Sequence, residues 1–372
     1  MLQLNCTIPR TTECYTIEIG GGLLTQQAPY LASLASRFAL ITDERVASLY
    51  GESLQCKWAA EGLEVSLFSF PEGEVHKTRA TKERIENQLL DKGLGRDTCV
   101  IALGGGVVTD LAGYIAATYC RGLPLVMMPT SLLGMVDASI GGKTGVNVPH
   151  GKNLLGCLYP PKKVVIDSSL LRTMAPKELS NGMVEVIKHA LIADAHLFEY
   201  LEAHAEPLLA LEGSVVEKVI FESCRIKKDI VEQDEKEQGK RRLLNAGHTI
   251  GHALETVCEA WSLPHGEAVA IGLLVESHLA LQLGYLPENA LDRIKRLLLR
   301  YGLPLRIPCS CSPHTLLHAM GWDKKSMRGT PRFALLSDIG SPLVPDSTYC
   351  TPVDRDLIVQ AWNWMEDDCR RH

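Results

Sequence analysis

The residues best suited to chemistry stand in NAGHTIGHALE, residues 245–255. His248 and His252 are four apart, so a helix there puts both on one face, one turn from each other. Such a pair can hold a metal, move protons, or fill a core. The His-Glu-x-x-His helix of zinc proteases is excluded, because Thr249 stands where its general base belongs. Gly247 and Gly251 precede the two histidines, and each costs a helix about 1 kcal/mol against alanine. A close backbone neighbour is therefore expected on this segment. Two further stretches can complete a metal site. NGMVEVIKHA (181–190) sets Glu185 and Lys188 one turn apart, and PHGEAVAIG (264–272) opens a helix with His265. One carboxylate and two or three imidazoles form a plausible zinc set with a position open to substrate.

Glycine-rich turns form the second group. ALGGGVVTD (102–110) follows an apolar run and opens a helical one, so backbone N–H groups and a helix N-terminus can meet an anion such as a pyrophosphate. SIGGKTG (139–145) resembles a nucleotide-binding loop, but Asp137 occupies the position where the P-loop needs its first glycine, and a carboxylate there repels phosphate. Lys143 can still act on a phosphate as a point charge. HGKNLLG (150–156) places Lys152 and Asn153 in another such turn. PEGEVHK (71–77) holds Glu74 and Lys77 where a strand's C-terminal end meets a ligand, and Asp43 ends an earlier strand, suited to a ribose hydroxyl.

These groups need a scaffold. RFALIT (37–42), LEVSLFSF (63–70), TCVIALG (98–104), LPLVMMPT (123–130) and KKVVIDS (162–168) read as strands, separated by helical spacing at 78–93 and 108–120. That alternation predicts a largely parallel sheet covered by helices. From about 183 to 304 the pattern is helical. Domains are expected at 1–178, an α/β unit, and 179–372, an all-α unit, as the length of 372 residues suggests. EQDEKEQGKRR (232–242) reads as a solvated loop unless Arg241 has a role.

Composition narrows the class. The chain is 46% hydrophobic and 22% charged with net charge −6, so nucleic acid is not an expected partner and any anionic substrate needs a local cluster of cations. No apolar run reaches the ~20 residues of a membrane span, and MLQLNCTIPRTTECY lacks a signal-peptide pattern. The 12 cysteines include no Cys-x-x-Cys. Reduced thiols in a cytoplasmic enzyme are the expectation.

Taken in order, GGGVVTDLAG, ATYCRG, MVDASIGGKTGVN, GKNLLG, NGMVEVIKHA, LLNAGHTIGHALE and HGEAVAIG resemble the 3-dehydroquinate synthases, over about residues 15–340. The resemblance implies a Rossmann-like NAD-binding domain, a helical metal- and substrate-binding domain, and a homodimer. It makes Glu185, His248 and His265 the ligands of Zn2+ or Co2+, with His252 beside the metal. His252, Lys152, Lys188 and Glu237 become catalytic. Arg121, Asp137, Lys143, Asn153, Lys227, Arg241, Asn245 and Lys324 become substrate-binding, with Arg121 reaching in from a second subunit and Lys324 or Lys325 closing over the site. NAD falls to Asp43, Glu72, Glu74, Lys77, Gly105, Gly106, Val107, Val108, Thr109, Asp110, Thr130, Ser131, Lys143, Lys152, Leu170, Leu171, Arg172 and Thr173. Thr109, Ser131, Arg45 and Ala246 depart from the residues usual there, which bears on NAD affinity more than on reaction type.

The implied reaction converts 3-deoxy-D-arabino-heptulosonate 7-phosphate to 3-dehydroquinate and phosphate, the second step of the shikimate pathway. It runs through transient oxidation by NAD, phosphate elimination, reduction and an intramolecular aldol closure. A sister cyclase making an inosose or valiolone shares fold and cofactors but needs no two-cation grip on a carboxylate, so Lys227 and Arg241 argue against it. A polyol dehydrogenase would give net NADH. A non-enzymatic binding module has no reason to assemble the metal set.

Overall fold

The computed structural model describes residues 14–258, 263–307, 311–321, 330–345 and 348–371. Six parallel strands form its central sheet: β1 (Thr16–Gly20), β2 (Arg37–Asp43), β3 (Glu64–Phe70), β4 (Thr98–Gly104), β5 (Leu125–Pro129) and, after a hairpin of β6 (Lys143–Val148) and β7 (Gly151–Leu158), β8 (Lys163–Asp167). The spatial order is β1-β8-β5-β4-β2-β3. Every residue of β4 is buried, which is why TCVIALG is a continuous apolar run instead of an alternating one. Helices α1 (Ala28–Leu34), α2 (Glu52–Ala60), α3 (Arg79–Asp91) and α4 (Gly106–Thr118) connect and cover the strands. Thr78 caps α3 by accepting from the Thr81 N–H at 3.1 Å.

The strand order turns back between β2 and β4: the chain goes outward from β2 to β3, then crosses to β4, β5 and β8. Ligand crevices in open α/β sheets lie outside the strand C-termini at such a reversal. Asp43 ends β2, and Gly104 ends β4 at that point.

The second half is built on α5 (Pro176–Ala193), α6 (Ala195–Ala203), α7 (Gly213–Gln233), α8 (His248–Val257), α9 (His265–Gln282), α10 (Glu288–Arg300), α11 (Pro313–Gly321) and α12 (Arg355–Arg371). Pro176 sits in the first turn of α5, where its missing N–H costs nothing. α8 packs along α9, and α9 packs against α5. Two short ladders, Arg332–Phe333 with Thr351–Pro352 and Leu336–Asp338 with Ser341–Pro342, modify the all-α expectation for this half. No helix among the described residues is long and apolar enough to cross a membrane.

The glycines of NAGHTIGHALE have the close neighbour their cost implied. A Cβ on Gly272 of α9 would lie 1.9 Å from the Gly247 carbonyl oxygen, and one on Gly251 would lie 3.2 Å from the Val269 Cα. A Cβ on Gly266 would meet the Asn181 Cα of α5 at 2.5 Å. The three helices that carry Glu185, His248 and His265 therefore touch backbone to backbone, which only glycine permits.

Candidate active site

Glu185 is wholly buried in the middle of α5. Its Oε1 lies 3.6 Å from His248 Nε2 and 3.8 Å from His265 Nε2. These separations are close to the ~3.4 Å edges of a tetrahedron with metal–ligand bonds of about 2.1 Å. Each imidazole is already oriented. His248 Nδ1 donates to the Ala246 carbonyl at 3.0 Å, and His265 Nδ1 donates to Glu255 Oε1 at 3.2 Å, so both Nε2 atoms turn toward Glu185. Glu185 Oε2 accepts from Lys188, whereas Glu185 Oε1 is buried with no hydrogen bond. A buried carboxylate oxygen without a partner is costly, and a cation between it and the two imidazoles supplies what it lacks. The donor set fits a divalent metal.

Charge around the triad favours an ionised Glu185 and a neutral His248, whereas His265 must release a proton to bind a metal. Burial opposes ionisation of Glu185, but Lys188 and the two histidines outweigh it and hold the carboxyl well below its usual range. Burial, then Lys188, lowers the His248 imidazole well below its ordinary value, so it stays neutral as a ligand must. Burial also opposes protonation of His265, yet Glu185 and Glu255 raise it to about 10.

Five of the substrate-side expectations reach this triad directly or through one side chain: Lys188, Lys152, His252, Asp137 and Lys227. Lys227 of α7 donates to Asp137 Oδ1 at 2.6 Å and to the Asp137 carbonyl. Burial raises Asp137, but Lys227 and Lys188 prevail and push it well below its usual value. Lys152 reaches from β7 to Glu255 on α8 at 2.8 Å. Lys143 pairs with Glu237, whose other oxygen accepts from Asn245. Arg241 is 1% exposed and donates to the Glu235 carbonyl at 2.6 Å and the Gly141 carbonyl at 3.1 Å. The charge run 232–242 thus folds inward at Arg241 and is not wholly a solvated loop. His252 is exposed, its ring 5.2 Å from that of His248 and 6.2 Å from that of His265. Asn153 is exposed, and its N–H donates to Asn147 Oδ1 at 3.0 Å within the hairpin.

The dinucleotide-side expectations line the C-terminal edge of the sheet. Gly105 caps α4 after β4. A Cβ on Gly104 would strike Val108 Cγ2 at 2.4 Å, so the strand-to-helix turn needs glycine there. Lys77, 3% exposed, pairs with Asp110 and lies 3.9 Å from Glu74, and these carboxylates keep it charged against its burial. Thr109 Oγ1 donates to the Gly106 carbonyl, and Ser131 Oγ accepts from the Gly134 N–H at 3.2 Å. Asp43 accepts from the Val46 N–H at 2.8 Å, with Glu72 among the charges acting on it. Leu170 and Leu171 are buried, Arg172 and Thr173 exposed, and Tyr50 joins this segment to the helical turns after Asp43. Val107 and Val108 are in the first turn of α4.

A family model described as 3-dehydroquinate synthase N-terminal matches residues 67–181, and one described as 3-dehydroquinate synthase C-terminal matches residues 182–326. The chain belongs to the 3-dehydroquinate synthase family. A curated family member from Pelobacter propionicus is 42% identical over 90% of this chain and 93% of its own. Among solved structures, a 2-epi-5-epi-valiolone synthase from Streptomyces hygroscopicus with NAD+ and Zn2+ bound superposes with a TM-score of 0.89 at 30% identity, covering 98% of this chain and 99% of that one. A 2-deoxy-scyllo-inosose synthase complexed with carbaglucose-6-phosphate, NAD+ and Co2+ gives 0.84 at 27% identity, covering 94% and 96%.

Arg121 is exposed past the C-terminus of α4, about 20 Å of helix from the glycine turn at the N-terminus. Lys324, with Lys325, lies outside the described residues. Three residues that sequence reasoning missed are present. Glu255 joins His265 to Lys152; it continues the His248–His252 stripe three residues on, a signal that was available. Glu276 of α9 accepts from the Gly247 N–H at 2.7 Å and the Ile250 N–H at 3.4 Å, fixing the start of α8. His189 is wholly buried, 2.7 Å from Ser223 Oγ and 3.9 Å from Asp137 Oδ1.

Proposed function

We propose that the chain converts 3-deoxy-D-arabino-heptulosonate 7-phosphate to 3-dehydroquinate and phosphate, using one NAD and one divalent ion, zinc or cobalt, held by Glu185, His248 and His265. The observation that carries this reading is the unpartnered Glu185 Oε1 facing two oriented imidazoles, at the junction with an NAD-type glycine turn. When bound, NAD supplies a reversible oxidation of a substrate hydroxyl, and the metal supplies a Lewis acid for the oxygen concerned.

The remaining work belongs to this chain's side chains. Four of the site's lysines are matched by carboxylates, Lys143 by Glu237, Lys152 by Glu255, Lys188 by Glu185 and Lys227 by Asp137, whereas Arg241 donates to backbone carbonyls. The substrate's phosphate would take Lys143, Asn153 and His252, and its carboxylate Lys227, Arg241 and Asn245. Gripping both charged ends fixes the ring between them, which lowers the barrier by positioning. Asp137, Lys152 and Lys188 would orient the hydroxyls. His252, exposed beside a ligand histidine, is suited to pass a proton as the carbon–oxygen bond to phosphate breaks. Asp43, Glu72, Glu74, Lys77, Gly105, Gly106, Asp110 and the Leu170–Thr173 segment would hold NAD, with its pyrophosphate on the α4 N-terminus.

The 42% identity to a 3-dehydroquinate synthase, against 27–30% to the sister cyclases, supports this substrate, as does the Lys227–Arg241 pair. Offering the purified protein the heptulosonate phosphate and sedoheptulose 7-phosphate, which lacks the carboxylate, tests it. Turnover confined to the first is expected; preference for the second would establish a sister cyclase instead. The reading extends to a homodimer in which Arg121 serves the neighbouring site, to a domain boundary near residue 178, and to a cytoplasmic enzyme, in keeping with free thiols at Cys14, Cys56, Cys99, Cys120, Cys157 and Cys224. Light scattering that finds an active monomer would contradict the dimer.

A further inference from the structure

Glu255 belongs to neither the metal triad nor the substrate grips, yet it touches both. It sits on α8, 8% exposed, seven residues after the ligand His248. One of its oxygens, Oε1, accepts from His265 Nδ1 at 3.2 Å and from Lys152 Nζ at 2.8 Å. The other, Oε2, is buried and makes no hydrogen bond. Lys152 stands on β7 of the hairpin, which packs over α4, while His265 begins α9 in the helical half. A single carboxylate oxygen thus joins the imidazole of a metal ligand to the hairpin that carries Lys143, Lys152 and Asn153.

We propose that Glu255 is a positioning residue that couples metal occupancy to the placement of the β6–β7 hairpin. This rests on the reading of Glu185, His248 and His265 as ligands. A carboxylate on the outer nitrogen of a ligand histidine fixes its tautomer and ring orientation and strengthens it as a donor. When His265 is pinned by an ion, Glu255 is pinned with it, and so is the Lys152 ammonium. The hairpin then presents its cations at a fixed distance from the metal. The reverse holds as well: a hairpin drawn in by an anion on Lys152 steadies Glu255 and the His265 ring. Coupling of this kind must be reciprocal in binding free energy.

Two variants separate the halves of the link. Glu255→Gln keeps shape but removes the charge that both partners share. Lys152→Met cuts only the hairpin side, at a partly exposed position, and its folding is checked by its urea midpoint. Zinc affinity is measured by competition with a chelator, and amide hydrogen exchange of residues 143–158 is followed with and without saturating zinc. In the wild type, zinc should slow exchange in the hairpin. Glu255→Gln should bind zinc about 10- to 100-fold more weakly and lose the zinc-dependent protection even at saturation. Lys152→Met should keep zinc affinity within a few-fold and lose the protection equally. Zinc-dependent protection retained in Lys152→Met, or absent from the wild type, would overturn the coupling. Zinc loss in Glu255→Gln as complete as in Glu185→Gln would make Glu255 a ligand and overturn its positioning role. A wild type that binds no zinc would instead bring down the metal reading itself, a result these arms distinguish.

Discussion

Replacing Gly272 with alanine is the most exacting test of how the helices hold the site. The added Cβ would lie 1.9 Å from the Gly247 carbonyl oxygen and 2.8 Å from its carbon. A comfortable carbon–oxygen contact is about 3.3 Å, so α8 and α9 must part by roughly 1.4 Å at that point. The obstacle is backbone, and no rotamer relieves it. Overpacking costs about 1–3 kcal/mol, with backbone clashes at the upper end, and the better helix propensity of alanine returns about 1 kcal/mol. A net loss near 2 kcal/mol is expected. Function should suffer more than stability, because α8 carries His248 and α9 carries His265. Metal–ligand distances tolerate only about 0.2 Å, so zinc affinity should fall at least tenfold. Gly213→Ala is the control, since a Cβ there meets nothing within 4 Å; it should be neutral or slightly stabilising. Urea unfolding midpoints and chelator competition on the three proteins supply both readouts. A Gly272→Ala protein with wild-type stability and zinc affinity would refute the close packing on which the triad's geometry depends.

Two further predictions follow from the same site. His248→Ala should lose zinc and activity together, whereas His252→Ala should keep zinc and NAD but lose roughly 10²–10⁴-fold in rate, the scale of a positioned acid–base group; equal zinc loss in both would make both histidines ligands. Acid should destabilise the fold earlier than carboxylates alone explain, because burial lowers His189 to about 3. An imidazole kept neutral in the fold contributes fully above its unfolded value of about 6.5, and each unit of pH below that costs up to about 1.4 kcal/mol. Urea midpoints at pH 7.5 and 5.5 should therefore drop in the wild type and drop less in His189→Gln; parallel drops would show that His189 is not responsible.

How far the sequence carried depended on whether a feature was local. TCVIALG, buried at every position, and the four other strands were legible as apolar runs bounded by turns. The β1 strand was not, since Thr16–Gly20 is a short alternating segment that pairs only with β8 at the sheet edge. The β6–β7 hairpin was read as two glycine turns. Gly145 and Gly156 face each other across it, and a Cβ on Gly156 would lie 1.9 Å from the Thr144 oxygen, so close approach demands the residue that most weakens a strand signal. At the site, the i, i+4 spacing exposed His248 and His252, and the ordered motifs supplied Glu185 and His265. Glu255 escaped although helical spacing pointed to it, because its link to Lys152 spans 103 residues, and Glu276 and His189 escaped because each acts through a contact between separate elements. Arg241 sat in a charge run that resembles solvated surface, and only its burial reveals the difference.

The central claim is that this chain oxidises and re-reduces its substrate within one turnover while expelling phosphate. It is tested by incubating the zinc-loaded protein with 3-deoxy-D-arabino-heptulosonate 7-phosphate and NAD at a small fraction of the substrate concentration, following phosphate and absorbance at 340 nm together. Many equivalents of phosphate per NAD, with no accumulating NADH, are the predicted result. NADH rising in step with product, or no phosphate release at all, would contradict it.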